Sequence, residues 1–135
     1  MDTLNDGDVM ADGRLFTKTH EWVLRSGTTA TVGISAHAQD SLGDITFVEL
    51  PKAGVMVSKG KECGVIESVK AASDLFAPVG GKVIEVNADL ETAPESINSD
   101  PYGAGWLFRI DTLADADFDG LMDETAYAAF LESEA

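Results

Sequence analysis

The sequence predicts a mainly β protein: a sandwich or flattened barrel with short added helices, a hairpin at one end and a C-terminal helix. Short β-prone runs separated by turn residues fill the middle of the chain. Pro51-x-x-Gly54 before an apolar run is echoed 27 positions later by Pro78-x-x-Gly81, and Lys70 lies near the midpoint between the two copies. Two similar β-units related by a pseudo-twofold axis would place this lysine on a hairpin.

The strands are predicted from alternating or β-branched runs that end at turn residues. Ser26-Gly27 separates the first two runs, which indicates a hairpin. Two further runs bracket Lys70. The predicted strands are residues 21–25, 28–34, 44–50, 62–69, 75–77, 82–86 and 106–110.

Three helical segments are predicted. Residues 35–43 form a short helix, because Ser35 can cap its first turn and Gly43 suits the position after its last. Residues 90–97 form a short polar helix or turn that Pro94 interrupts. Asp123 can cap a C-terminal helix, and its apolar face, expected to pack on the sheet, consists of Tyr127, Phe130 and Leu131.

Length and charge predict one domain, residues 14–135, after a flexible acidic extension, residues 1–13. The net charge of −15 lies mostly at the two ends, because residues 14–110 hold twelve acids against all nine Lys and Arg. A basic stripe for nucleic acid is absent, and so is an apolar run long enough to span a membrane. The start lacks signal-peptide and transit-peptide features. We expect a cytoplasmic protein, or a mitochondrial matrix protein if a transit peptide has already been removed.

Cysteine, acidic and histidine patterns predict neither a disulfide nor a metal site. Cys63 is the only cysteine. Residues 115–120 imitate the start of a calcium-binding loop, but Ala126 occupies the twelfth position, where a bidentate Glu is required. His20 and His37 are the only histidines, and a pair is too few for a convincing metal site.

Lys70 is the candidate functional residue. It lies between two β-prone runs, flanked by small residues and carboxylates. A Schiff-base nucleophile needs a lowered pKa, whereas Glu67 and Asp74 favour the charged ammonium. Covalent modification by a dedicated enzyme needs only an exposed lysine on a rigid turn. The pattern therefore favours a carrier over an enzyme.

Several short motifs, in order and at characteristic spacing from Arg14 to Leu131, carry a resemblance to a known family. They are Thr19-His20-Glu21-Trp22, Val32-Gly33-Ile34, Ala38-Gln39, Leu42-Gly43-Asp44, Phe47-Val48-Glu49-Leu50-Pro51, Glu67-Ser68-Val69-Lys70-Ala71, Ser73-Asp74 and Asn98-Ser99-Asp100-Pro101-Tyr102-Gly103. With these motifs the chain resembles the H-protein of the glycine cleavage system. The resemblance implies a β-sandwich of the lipoyl/biotinyl type.

The resemblance also implies a function and its residues. Lys70 would carry lipoate through an amide, and the surrounding hairpin would be recognised by a lipoate ligase or lipoyl transferase. The hairpin residues are Glu67, Ser68, Val69 and Ala71. The chain would be a monomeric, non-catalytic carrier that takes an aminomethyl group from the P-protein (glycine decarboxylase) to the T-protein (aminomethyltransferase). The L-protein (dihydrolipoyl dehydrogenase) would reoxidise its dithiol. A cleft sheltering the loaded arm would be formed by Thr19, Glu21 and Asp74.

Four alternatives remain open from the sequence. A biotin carrier uses a similar hairpin but typically has Met on both sides of the lysine, where Val69 and Ala71 stand here. Carrier domains of 2-oxoacid dehydrogenases usually read Asp-Lys-Ala and lack the segment around His20. An enzyme using Lys70 as a nucleophile would turn over a small carbonyl substrate. An H-like protein could also serve mainly as a lipoate donor to other carriers.

Overall fold

The computed structural model describes residues 13–134, so the predicted extension lies outside the described residues apart from Gly13. The strands are β1 (Leu15–Phe16), β2 (Glu21–Ser26), β3 (Thr29–Ile34), β4 (Ile45–Glu49), β5 (Met56–Val57), β6 (Glu62–Ser68), β7 (Ala72–Phe76), β8 (Gly81–Val86) and β9 (Phe108–Thr112). The α-helices are α1 (Ala36–Leu42), α2 (Ser96–Ser99) and α3 (Glu124–Glu134), and single 3₁₀ turns cover Ala88–Glu91 and Asp115–Phe118. Between residues 13 and 134 the helices are too short and too polar to cross a membrane.

The strands form two antiparallel sheets, which confirms the predicted β-sandwich class. The larger sheet has the order β1-β2-β3-β9-β8-β5, and the smaller has the order β4-β6-β7. Neither sheet closes on itself. The strands that follow the two Pro-x-x-Gly motifs pair antiparallel, with Met56 opposite Lys82 and Val57 opposite Gly81. This pairing is consistent with the pseudo-twofold relation predicted from the echo.

A hydrophobic core lies between the two sheets. The larger sheet contributes Val32, Val83 and Phe108, and the smaller contributes Ile66 and Leu75, all of them at most 2% exposed. Burial of such side chains is the main favourable term in folding. The core fixes the base of β6 and β7, so the far end of this hairpin projects from a rigid platform.

A second cluster joins α3 to the outer face of the larger sheet. The ring of Tyr127 stacks on Phe16 with centroids 4.3 Å apart and planes 3° apart. Asp123 caps the helix by accepting a hydrogen bond from the Ala126 N–H at 2.8 Å. Phe130 and Leu131 pack on the same cluster. The predicted cap and the predicted apolar face of the C-terminal helix are therefore confirmed.

Two predicted strands differ from the observed ones by two or more residues at a boundary. The second hairpin strand covers Ala72–Phe76 rather than 75–77, because its polar start pairs with β6 despite low strand propensity. The last strand covers Phe108–Thr112 rather than 106–110, because Asp111 pairs with β3 and with β8. Residues 90–97, predicted as a short helix or turn that Pro94 interrupts, contain the end of a 3₁₀ turn and the start of α2 on either side of Pro94.

Candidate functional site

Lys70 is exposed at the tip of the β6–β7 hairpin, as predicted for an accessible lysine on a tight turn. Glu67 pairs with Ala72, and the Ser68 N–H donates to the Ala71 carbonyl at 2.8 Å. The turn thus contains only Val69 and Lys70. Both residues have negative φ, whereas most two-residue hairpins adopt turn types in which at least one of the two residues has positive φ.

The Ser68 side chain stabilises this unusual turn. Its hydroxyl oxygen accepts hydrogen bonds from the N–H groups of Lys70 at 3.3 Å and Ala71 at 3.1 Å. It also donates to the Ala71 carbonyl at 3.2 Å. A serine hydroxyl that bonds to nearby backbone groups stiffens a turn that has no glycine. The lysine is therefore presented on a stiff support.

The loop between α1 and β4 supports the hairpin tip from below. The Val69 N–H donates to the Asp44 carbonyl at 3.0 Å. The Lys70 side chain lies over Gly43, where an added Cβ would stand 3.3 Å from the lysine Cε. Gly43 also has a φ of +80°, which favours glycine. The loop and the hairpin tip thus form one unit.

Asn98 of α2 holds that loop in place. Its Oδ1 accepts a hydrogen bond from the Ile45 N–H at 2.8 Å. Its Nδ2 donates to the Gly43 carbonyl at 2.8 Å and to Gln39 Oε1 at 3.0 Å. In the sequence Asn98 is notable only as part of the family motif, because its partners lie more than fifty positions away.

The predicted hairpin residues surround Lys70 on the surface. Val69 is 69% exposed and, after Leu113, is the most exposed large apolar side chain among the described residues. Glu67 and Ala71 are exposed, and Ser68 is half-buried because its hydroxyl faces the turn. A modifying enzyme could therefore contact an apolar side chain, a carboxylate and the lysine together.

Glu21 is buried, with 2% of its surface exposed, and its carboxylate is held by three donors. The hydroxyls of Thr17 and Thr19 both donate to Oε1, the former at 2.7 Å. The Phe76 N–H of β7 donates to Oε2 at 3.1 Å. Burial raises the pKa of Glu21 above its ordinary value, while these hydrogen bonds oppose the rise.

Glu21 and Thr19 line a cleft of about 210 Å³ whose walls are mainly apolar, including Phe16, Phe76 and Met122. Lys18 and Lys59 also line it. A neighbouring cleft of about 250 Å³ is bounded by residues of the β1–β2 turn, α1 and β7: Thr19, His20, His37, Ala38, Ser41, Leu42 and Ser73. Thr19 lines both clefts. Leu42 of the second cleft is followed by Gly43, over which the Lys70 side chain lies.

Asp74, the third residue predicted for an arm cleft, is placed differently. It is exposed on β7, whereas its neighbours Ser73 and Phe76 each line one of the two clefts. Asp74 lies beside Glu62, whose pKa is raised by hydrogen bonding to Asp74 and by the charge of Asp74. The structure thus brings Thr19 and Glu21 together, while Asp74 is exposed and lines neither of the two clefts.

The two histidines form part of the wall between the second cleft and α3. Their ring centroids are 4.9 Å apart. His20 Nδ1 lies 2.8 Å from the Tyr127 hydroxyl, which in turn lies 2.7 Å from the Ser35 hydroxyl. Sequence spacing gave no signal for this network, because it joins elements more than ninety positions apart. Groups of three or more potential metal ligands are absent from the described part of the chain.

Comparisons with known proteins match this chain over almost its whole length. The family model described as "Glycine cleavage H-protein" matches residues 14–134. The glycine cleavage system H protein of a Thermus thermophilus strain is 53% identical over 122 residues, which cover 90% of this chain and 95% of the relative. The corresponding protein of an Escherichia coli strain is 50% identical over 120 residues, which cover 88% of this chain and 93% of the relative.

A solved structure agrees with the sequence relatives. The crystal structure of a glycine cleavage system H protein from Mycobacterium marinum matches with a TM-score of 0.82 and 39% identity. The match covers 90% of this chain and 98% of the other. On the strength of these matches, the chain belongs to the glycine cleavage H-protein family.

Proposed function

We propose that this chain is the lipoyl carrier of a glycine cleavage system and that lipoate is attached to Lys70 through an amide. The observation that carries the proposal is an exposed lysine on a stiff two-residue turn, within a chain of this family. Ser68 holds the turn and Asn98 holds the loop beneath it. The residues fit the group, because an exposed primary amine at a projecting tip can enter the site of an attaching enzyme.

Lipoate bound there would supply a disulfide that opens when one sulfur accepts the aminomethyl group, and transfer of that group would leave a dithiol still attached to Lys70. The chain itself supplies presentation and shelter rather than catalysis. A handle on a projecting hairpin can enter the sites of the P-, T- and L-proteins in turn. Covalent tethering also raises the local concentration of the carried group at each site without a permanent complex. The bacterial relatives support a cytoplasmic location.

We also propose that Glu21 and Thr19 hold the loaded end of the arm. The two threonine hydroxyls occupy Oε1 of Glu21, and one backbone N–H occupies Oε2. Since a carboxylate oxygen accepts about two hydrogen bonds, Oε2 keeps one acceptor position for an ammonium group. Apolar walls would exclude water from that contact and strengthen it. The role of Asp74 in this cleft stays a prediction.

The attachment site is tested by Lys70→Arg, with Lys61→Arg as the matched control. Arg keeps the charge and length of the side chain but forms no stable amide of this kind. After coexpression with a lipoate ligase, intact mass should show one lipoyl group on the wild type and on Lys61→Arg, and none on Lys70→Arg. Circular dichroism should show all three proteins folded. Lipoylation of Lys70→Arg, or its full support of glycine cleavage, would disprove the proposal.

The cleft is tested by Glu21→Gln, with the exposed Glu49→Gln as control. Glutamine keeps the shape of the side chain but removes the charge that would hold an ammonium group. We expect normal lipoylation and a loss of the aminomethyl group from the loaded carrier that is roughly tenfold faster. The decay of loaded carrier is followed by mass spectrometry. An unchanged lifetime would count against Glu21.

A further inference from the structure

His20 has a backbone conformation that L-residues rarely adopt. Its φ is +77°, and it is the only residue other than glycine with positive φ in the described range. The conformation is held from both sides. The His20 N–H donates to the Thr17 carbonyl at 3.1 Å, and the His20 carbonyl accepts from the Ser35 N–H at 2.9 Å. Strained backbone persists where surrounding contacts determine it, often at functional sites.

This conformation shapes the turn that holds Glu21. The turn over residues 17–20 brings the hydroxyls of Thr17 and Thr19 within 3.1 Å of each other. Both donate to the same carboxylate oxygen, and the Thr17 hydroxyl also accepts from the Glu21 N–H at 3.1 Å. An extended backbone at His20 would space Thr19 and Glu21 about 6.6 Å apart along the chain, instead of folding the Thr19 hydroxyl back onto the Glu21 carboxylate.

The side chain of His20 ties this turn to α3. Its Nδ1 lies 2.8 Å from the Tyr127 hydroxyl, and Tyr127 is 5% exposed. The same hydroxyl lies 2.7 Å from that of Ser35, which accepts from the Ala38 N–H at 3.1 Å. A hydroxyl can donate and accept at once, so this hydrogen-bond network accommodates either tautomer of the His20 imidazole. Tyr127 also stacks on Phe16, a wall of the Glu21 cleft.

We infer that Tyr127 is a positioning residue for the Glu21 cleft. Its hydroxyl fixes the His20 ring and thereby the turn whose threonines orient the Glu21 carboxylate. Tyr127 acts through His20 and does not itself line the cleft. The inference rests on the proposed function for its effect on the loaded arm. Its effect on Glu21 is independent of that function.

The test compares Tyr127→Phe with Tyr102→Phe. Tyr102 belongs to the same aromatic cluster, and its hydroxyl accepts a hydrogen bond from the Ala36 N–H at 2.9 Å. Tyr127→Phe loses the contacts of its hydroxyl with His20 and Ser35, and Tyr102→Phe loses its hydrogen bond from the Ala36 N–H. Only Tyr127→Phe removes a partner of the His20 ring. The neighbouring titratable groups Lys18, Lys59 and Cys63 are unchanged in both.

Two readouts are measured: the Glu21 pKa by ¹³C NMR in unmodified protein, and the lifetime of the loaded carrier. We expect Tyr127→Phe to raise the Glu21 pKa further, because the threonine hydrogen bonds that lower it weaken. It should shorten the lifetime about threefold to tenfold, the effect of one hydrogen bond. Tyr102→Phe should change neither. His20→Gly, in which glycine keeps the positive φ but has no side chain to bond the Tyr127 hydroxyl, should behave as Tyr127→Phe does.

A Glu21 pKa that is equal in the wild type and both His20-releasing variants would overturn the inference. So would an equal rise in Tyr102→Phe. If Glu21→Gln leaves the loaded lifetime unchanged, the proposed cleft fails, while the Glu21 titration still decides the role of Tyr127. If Glu21→Gln shortens the lifetime and Tyr127→Phe alters neither readout, only the positioning inference fails.

Discussion

The fold buries the Glu21 carboxylate and offsets part of the cost of that burial with hydrogen bonds. Burial disfavours the charged form, while Thr17, Thr19 and the Phe76 N–H favour it by hydrogen bonding. The net effect raises the pKa above its ordinary value of 4.5. The folded protein therefore retains a proton on Glu21 at pH values where the unfolded chain has lost it. Because its pKa is raised, ionised Glu21 destabilises the folded state. A residue that lowers stability in this way is consistent with one retained for function.

The raised pKa of Glu21 predicts how the free energy of unfolding depends on pH. Because the folded state binds more protons than the unfolded state, the contribution of Glu21 to the free energy of unfolding falls as pH rises from about 4.5. It levels off above the folded pKa. Glu21→Gln lacks this contribution, so its stability relative to the wild type should increase between pH 4 and pH 7.

Urea denaturation of both proteins across that pH range measures the difference. Contributions of the other carboxylates are common to both proteins and cancel. A difference that stays constant or shrinks as pH rises would contradict the raised pKa.

The β2–β3 hairpin depends on a glycine that leaves room for an indole ring. Gly33 lies opposite Trp22, and a Cβ added there would stand 2.5 Å from the ring. Trp22 cannot move aside easily, because it is 1% exposed and its Nε1 donates to the Pro101 carbonyl at 3.0 Å. The family motif around Gly33 thus has a local steric cause.

Gly33→Ala should therefore destabilise the protein by about 1–3 kcal/mol, the usual cost of overpacking a core. Thermal or chemical denaturation measures the loss. In a double-mutant cycle, Trp22→Phe should relieve part of it, because the smaller ring leaves space for the added methyl group. Additive effects of the two substitutions would show that the clash is not the cause.

Sequence patterns predicted correctly those elements that depend on residues close together in the chain. The Ser26-Gly27 turn, the Ser35 and Asp123 caps and the apolar face of α3 all depend on residues within a few positions. The start of β7 was predicted wrongly, because Ala72 and Ser73 become strand only through pairing with β6. Strand pairing is a long-range property, so propensity alone sets such boundaries poorly.

Across the whole molecule, the candidate site draws on four separate parts of the chain. The β1–β2 turn supplies Thr19 and Glu21, α1 borders the second cleft, the β6–β7 hairpin supplies Lys70, and α3 supplies Tyr127. The acidic segment after β9 is partly tied to this body, since Arg25 pairs with Asp115. These long-range arrangements explain why a carrier with a single handle needs a complete sandwich with an added helix.

By itself, the sequence determined the β class, the family and the lysine at a hairpin tip, because turn chemistry, capping and motif spacing are local and ordered along the chain. Only the tertiary structure decided the surroundings of these residues. It buried Glu21 beside two threonine hydroxyls, left Asp74 exposed and tied His20 to a helix more than a hundred positions away. Each of these arrangements depends on which distant segments pack together, and local sequence patterns do not show which segments will be neighbours in the folded chain.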